Sequence, residues 1–238
     1  FHDLPHWAFK LLGSLLGAAV LFLLLSLGHI PSSAHGGTQL AVPTAATIPT
    51  SDWNLTLVNP WTPLPAGHTI TVTELRGGQS IDQRCYPALQ AMMDACRAAG
   101  HQPVICSSYR PHNKQEALFA NKVQRLMAAG YDAEEADQKA ATVVARPGTS
   151  EHELGLAVDI VDVSYQLLDT NQENTDVQKC LLENSWRYGF ILRYPTDKTD
   201  ITGIVYEPWH YRYVGKEYAK EIYEKGVCLE QYLEQWGK

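Results

Sequence analysis

Between Ser150 and Asp159 the chain reads SEHELGLAVD, and between Glu207 and His210 it reads EPWH. Imidazole nitrogen and carboxylate oxygen are both standard zinc ligands, bound at about 2.0 to 2.2 Å. His152 stands at the mouth of a loop, and Asp159 follows seven positions later inside an expected strand. His210 supplies a second imidazole, with the carboxylate of Glu207 three positions before it. Three protein ligands leave one coordination position for water, which is the arrangement of a catalytic rather than a structural site. Zinc lowers the pKa of a bound water to roughly 7. A carboxylate beside that water can take its proton and hand it to a leaving amine, and Glu207 suits this role of general base. The oxyanion that develops needs a positive partner, for which Arg110 in Ser107-Ser108-Tyr109-Arg110 is the best candidate. Either half of the constellation alone reads more readily as a surface pair; the two together make a metal site.

The elements that must carry these residues can be read from periodicity. Ile81 to Ala99 has apolar residues at helical spacing and a stop at Gly100. Pro103 to Tyr109 reads as a short buried strand, and helical patterns return over Asn113 to Ala129 and Asp132 to Val144, parted by Gly130. The loop ARPGTSEHELG leads into a strand over Leu156 to Val163. An amphipathic helix is expected over Asp176 to Tyr188, followed by short strands at Phe190 to Arg193, Gly203 to Tyr206 and His210 to Val214, and a helix at Lys216 to Lys225. Helices around several short strands predict an α+β domain with a small, mainly antiparallel sheet, the zinc site lying at the sheet. Gly155, Leu156 and Ala157 are small or apolar, so the backbone there can approach a neighbour closely. Glu151 and Glu153 alternate with the motif and are expected to be solvated. Trp209 and Tyr211 are expected in the core, and His68, His101 and His112 on surfaces or loops.

Upstream of this domain the composition changes. No charged side chain occurs from Leu11 to Ile30, a run rich in Leu, Ala, Val and Phe with Lys10 before it. At helical rise that length crosses a bilayer core of roughly 30 Å, and the positive flank favours the cytoplasmic side. The reading is a single-pass signal anchor over residues 11–30 with a short cytoplasmic end over 1–10; a cleaved signal peptide is the competing reading. Residues 31–52 are rich in Pro, Ser, Thr, Gly and Ala and read as a flexible linker. The folded domain is then expected over 53–238, outside the membrane. The net charge of −7 argues against nucleic acid as a partner. Five cysteines (Cys85, Cys96, Cys106, Cys180 and Cys228) contain no C-x-x-C pair, and an oxidising exterior would permit one or two disulfides. Cys85 and Cys96 fall on one expected helix, too far apart to bond each other.

Ser150-x-His152-x-x-Gly155-x-Ala157-x-Asp159 followed by Glu207-x-x-His210 resembles the signature of the VanY-type D-alanyl-D-alanine carboxypeptidases. That wider group of zinc peptidases includes the D-Ala-D-Ala dipeptidases, the L-alanyl-D-glutamate endolysins and the LD-carboxypeptidases. SSYRPHNKQ from Ser107 to Gln115, EPWHYRYVG from Glu207 to Gly215, and the Leu57-Val58-Asn59 and Pro63-Leu64-Pro65 opening are similar to the carboxypeptidase branch. The resemblance covers about Trp53 to Gly226. It implies the group's small α+β fold, Zn2+ as cofactor on His152, Asp159 and His210, Glu207 as general base, and Arg110 on the scissile carbonyl or substrate. Gln115 and Ser150 match positions lining the substrate site. The implied activity is removal of the terminal D-Ala from peptidoglycan stem pentapeptides by a membrane-anchored enzyme. The alternatives are an LD-carboxypeptidase acting on tetrapeptide stems, an endolysin-like endopeptidase, or a noncatalytic wall-binding domain.

Overall fold

The computed structural model describes residues 52–236; the expected anchor over 11–30 and most of the linker lie outside the described residues. Among the described residues no helix is long and apolar enough to cross a membrane. The described part opens with a 3-10 turn at Trp53–Leu55 and a small antiparallel hairpin, β1 (Val72–Glu74) and β2 (Ser80–Asp82), joined through Arg76–Gly78. Helix α1 (Tyr86–Ala98) precedes β3 (Pro103–Ser107), and α2 (His112–Ala128) and α3 (Ala133–Ala141) follow it. The short α4 (Glu151–Leu154) runs into β4 (Ala157–Asp162). Then come α5 (Asp176–Asn184), β5 (Phe190–Leu192), α6 (Thr199–Thr202), β6 (His210–Tyr213), α7 (Lys216–Lys225) and α8 (Leu229–Trp236).

The main sheet has the order β3-β4-β6-β5 and every neighbouring pair is antiparallel. Side chains alternate faces along a strand, and the alternation in β4 separates core from chemistry. Val158 and Ile160 join Leu89, Met92, Met93, Leu181, Phe190 and Tyr211 in one apolar cluster. A second cluster gathers Leu55, Ile191 and Val214 with Ala219, Ile222, Leu229, Tyr232 and Leu233 of α7 and α8. Asp159 has the opposite parity from Val158 and Ile160. It pairs in register with Ser107 on one side and His210 on the other.

The α+β expectation holds, and most elements fall within a few residues of their expected bounds. Three differ. Residues 81 and 82 belong to β2, and α1 starts only at Tyr86, where a proline in the first turn suits helix initiation. Gly203 to Tyr206 forms no strand: Gly203, at φ 77°, caps α6 in the left-handed region, and Val205 N–H donates to Thr142 O rather than to a ladder. The hairpin β1–β2, α4 and α8 were not anticipated. All five cysteines are free thiols rather than disulfide partners, and Cys85, Cys96 and Cys228 are buried. Trp209 and Tyr211 are buried as expected.

Candidate metal and catalytic centre

The site is assembled from four segments. Ser150 caps α4, its Oγ accepting from His152 N–H at 3.3 Å, and so begins the single turn that carries His152. Gly155 ends that turn at φ 81°, in the left-handed region open to glycine. A Cβ there would lie 2.2 Å from Ile70 Cδ1, so the backbone favours glycine and any side chain would also have to displace Ile70. Four residues on, Asp159 lies in the sheet beside His210. The segment Ser108–Arg110 is held over the site by backbone bonds from Arg110 N to His152 O (3.0 Å) and Tyr109 N to Ser80 O (2.8 Å).

The three expected ligands meet. His152 Nε2 is 3.2 Å from Asp159 Oδ2, and His210 Nδ1 is 3.1 Å from Asp159 Oδ1. The imidazoles stand edge to face with centroids 4.9 Å apart, and the ligand atoms lie within 4.8 Å of one another. Each ring presents a different nitrogen. His152 directs Nδ1 to Ser108 O at 2.8 Å and so keeps Nε2 for the site. Asp159 Oδ1 is buried with no hydrogen-bond partner, an arrangement that is costly unless something else satisfies it. Two ring nitrogens and an unpartnered carboxylate oxygen in one buried cluster fit a divalent cation. Burial pushes the Asp159 carboxyl up, but His152 and His210 outweigh it and hold the group far below the ordinary carboxylate range. It is thus anionic, as a ligand must be.

Glu207 and Arg110 flank this cluster. Glu207 Oε2 is 3.6 Å from His210 Nδ1, on the side of the ring that faces the cluster. In the metal-free site burial, countered by His210 and reinforced by Asp159, pushes the Glu207 carboxyl up to about 8; its place beside His210 suits a group that accepts and returns a proton. Arg110 is held by both arms of its guanidinium, Nη1 donating to Gln115 Oε1 at 2.6 Å and Nη2 to Ser107 Oγ at 2.8 Å. Its pKa is lowered by burial, partly offset by Asp159, Glu207 and Glu153, so the cation faces the acids of the site. Gln115 is fully buried and anchors its own amide on Ala145 O at 2.6 Å. Gln115 therefore steadies Arg110, and Ser150 shapes the turn bearing His152.

Two residues expected in solvent are buried. Glu151 and Glu153 are 1% and 4% exposed, because α4 is a single turn enclosed on all sides. Glu153 reaches His112 Nδ1 at 2.7 Å and accepts from Gly148 N–H at 2.8 Å. Glu151 bonds to Arg193 Nε at 2.7 Å and Arg212 Nη1 at 2.5 Å. His68, half-buried, sets Nε2 3.1 Å from Leu154 O. Tyr194 was also missed; its buried ring leans on His210 with centroids 4.8 Å apart. One signal was available for the arginines: His210 and Arg212 are two apart in a strand and so share a face.

A family model for VanY, D-alanyl-D-alanine carboxypeptidase, matches residues 78–216. A D-alanyl-D-alanine carboxypeptidase of Enterococcus faecalis (strain ATCC 700802 / V583) is 48% identical over 182 residues, spanning 76% of this chain and 66% of that relative's length. Among solved structures, VanYB in complex with D-alanine-D-alanine superposes with TM-score 0.72 at 48% identity, covering 77% of this chain and 99% of that one. A mutant of the D,D-pentapeptidase VanY from a VanB-type vancomycin resistance cassette, solved with Zn(II), gives TM-score 0.70 at 48% identity, covering 76% and 99%. The matched region holds every residue of the cluster, from Arg110 to His210, and this chain belongs to the VanY family of D-alanyl-D-alanine carboxypeptidases.

Proposed function

We propose that the chain is a zinc-dependent D,D-carboxypeptidase that removes the terminal D-Ala from peptidoglycan stem pentapeptides. The observation that carries this reading is the convergence of His152 and His210 on Asp159, whose Oδ1 is buried without a hydrogen-bond partner, with Glu207 beside His210. His152 Nε2, His210 Nδ1 and Asp159 would hold the zinc. When bound, it supplies a water acidic enough to ionise near neutral pH and an electrophile for the scissile carbonyl.

The chain's own groups supply the rest. Glu207 takes a proton from the attacking water and delivers it to the nitrogen of the departing D-alanine, so one water is added across one amide bond. Arg110, fixed by Gln115 and Ser107, presents its charge where the carbonyl oxygen becomes negative, with no reorganisation needed at that moment. Family membership and the likeness to a structure holding D-alanine-D-alanine support the substrate. The apolar run over 11–30 and the Pro- and Ser-rich stretch after it support an anchored enzyme working on the outer side of the membrane.

Synthetic penta- and tetrapeptide stems incubated with the chain, with and without chelator, test the reading through product masses. Loss of one D-Ala from the pentapeptide alone, abolished by chelator, is expected. Cleavage of the tetrapeptide instead would assign the LD reaction, and no cleavage with no zinc bound would leave a wall-binding domain. Glu207→Ala should retain zinc yet lose nearly all D-Ala release; full activity in that variant would sink the mechanism.

A further inference from the structure

Behind the zinc site lies a further acid, Glu151. The Glu151 side chain is wholly buried, and its two oxygens have different surroundings. Oε1 accepts from Arg193 Nε at 2.7 Å and Arg212 Nη1 at 2.5 Å. Oε2 has no hydrogen-bond partner and faces His210 Nε2 at 3.5 Å. That ring nitrogen is also buried and unpartnered. Two orphaned polar atoms of opposite character, aimed at each other inside a core, make a contact that needs little shortening to become a hydrogen bond. On the other side of the same ring, Nδ1 meets Asp159 at 3.1 Å and Glu207 at 3.6 Å.

We propose that Glu151 is the positioning residue for His210: it accepts the Nε2 proton, fixes that tautomer and leaves the Nδ1 lone pair free for the metal. The inference rests on the zinc reading above. Outer partners of this kind orient a metal-bound histidine and raise its basicity. His152 obtains the same service at its opposite nitrogen from a backbone carbonyl, Ser108 O. The two ligands are therefore locked as complementary tautomers, His152 through Nδ1–H and His210 through Nε2–H.

The carboxylate that does this is itself clamped. Arg193 donates Nη1 and Nη2 to Glu230 of α8 at 2.9 and 2.6 Å, and Arg212 Nη2 donates to Asn54 O at 2.9 Å and Thr56 O at 2.8 Å. Two arginines and two glutamates balance in charge, which is what allows four ionised groups to share a core. Asn54, Thr56 and Glu230 fall outside the stretch that the family model matches, so the clamp is built from the flanks of the domain.

The test uses the full chain and measures zinc first. Wild-type protein that binds no zinc overturns both this proposal and the reading it rests on. Given zinc in the wild type, Glu151→Gln, checked for folding in the metal-free form, should bind zinc ~10- to 100-fold more weakly by chelator competition. Its cobalt-substituted absorption spectrum should shift, and kcat should fall with KM nearly unchanged. A folded Glu151→Gln with wild-type zinc affinity and cobalt spectrum overturns the positioning role while leaving the zinc reading intact. Glu230→Gln, at the far end of the clamp, should lower stability but change zinc affinity less than ~3-fold, well short of the effect of losing a direct partner to a ligand; equal weakening in both variants reduces Glu151 to a structural part. Should Glu151→Gln not fold, nitrogen-15 spectra of the zinc-loaded wild type decide the matter. His210 must show a slowly exchanging Nε2–H and a metal-shifted Nδ1, and a bare or metal-bound Nε2 overturns the proposal.

Discussion

Gly155→Ala is the sharpest test of how this backbone delivers its ligands. Gly155 sits at φ 81° between the turn of His152 and the strand of Asp159. Placing an alanine in the left-handed region costs about 1–2 kcal/mol. The new methyl would stand 2.2 Å from Ile70 Cδ1, a contact no real structure tolerates. Ile70 is only half-buried, so its terminal carbon can swing aside, and an off-rotamer side chain costs about 0.5–1.5 kcal/mol. The sum is about 2–3 kcal/mol, which for a domain of this size lowers Tm by roughly 4–12 °C. The two parts can be separated, because Ile70→Val deletes just the carbon that clashes. Ile70→Val should cost up to about 1 kcal/mol in the wild-type background and close to nothing beside Gly155→Ala. The assay is chemical denaturation of the four metal-free proteins of this cycle. Gly155→Ala within about 0.5 kcal/mol of wild type, or no coupling to Ile70→Val, would refute the reasoning.

Three further outcomes follow from the geometry. Arg110→Lys keeps the charge but cannot engage Gln115 and Ser107 together, so kcat for D-Ala release should fall about 10²-fold or more with folding intact; steady-state kinetics check this. In the metal-free protein Glu207 is raised to about 8 from 4.5 and His210 to about 9 from 6.5, so the native state holds more protons than the unfolded chain. The Glu207 contribution is complete below its unfolded value and lost as pH rises through about 8, and that of His210 is lost through about 9. Urea midpoints should therefore drop from about pH 7 to about pH 9, above the range in which the depressed His152 acts with the opposite sign, with a flatter course in Glu207→Gln; a profile that rises instead would contradict the assigned burial. Zinc at 1,000 times its Kd should stabilise the fold by about 4 kcal/mol. His210→Ala should lose most of that gain in a thermal melt, and an undiminished shift would place the metal elsewhere.

The ligands were legible because their chemistry is local: His152, Asp159, Glu207 and His210 stand in two short motifs, and period-two alternation alone puts Asp159 on the face opposite Val158. The buried acids were not legible. Glu151 and Glu153 flank a ligand in a four-residue helix, where polar spacing looks like a solvated face. What keeps Glu151 inside are Arg193 and Arg212, 42 and 61 positions away, and no local pattern encodes such a pairing. Gly203 to Tyr206 misled for a related reason, since Ile204 and Val205 favour strands but pack without a ladder partner. Other omissions were readable. The run TVTEL before Gly77-Gly78 alternates toward a turn, and Leu229, Tyr232, Leu233 and Trp236 keep helical spacing.

The arginine clamp also sets an order of events during synthesis. Arg212 is secured by carbonyls from residues 54 and 56, among the first of the domain to emerge, and Arg193 by Glu230, among the last. A ribosome-bound chain that has threaded out its metal motifs still lacks one of the two acids that balance Arg193. The clamp around Arg193 therefore closes only after translation has passed α8, so part of the domain's stability is withheld from unfinished chains.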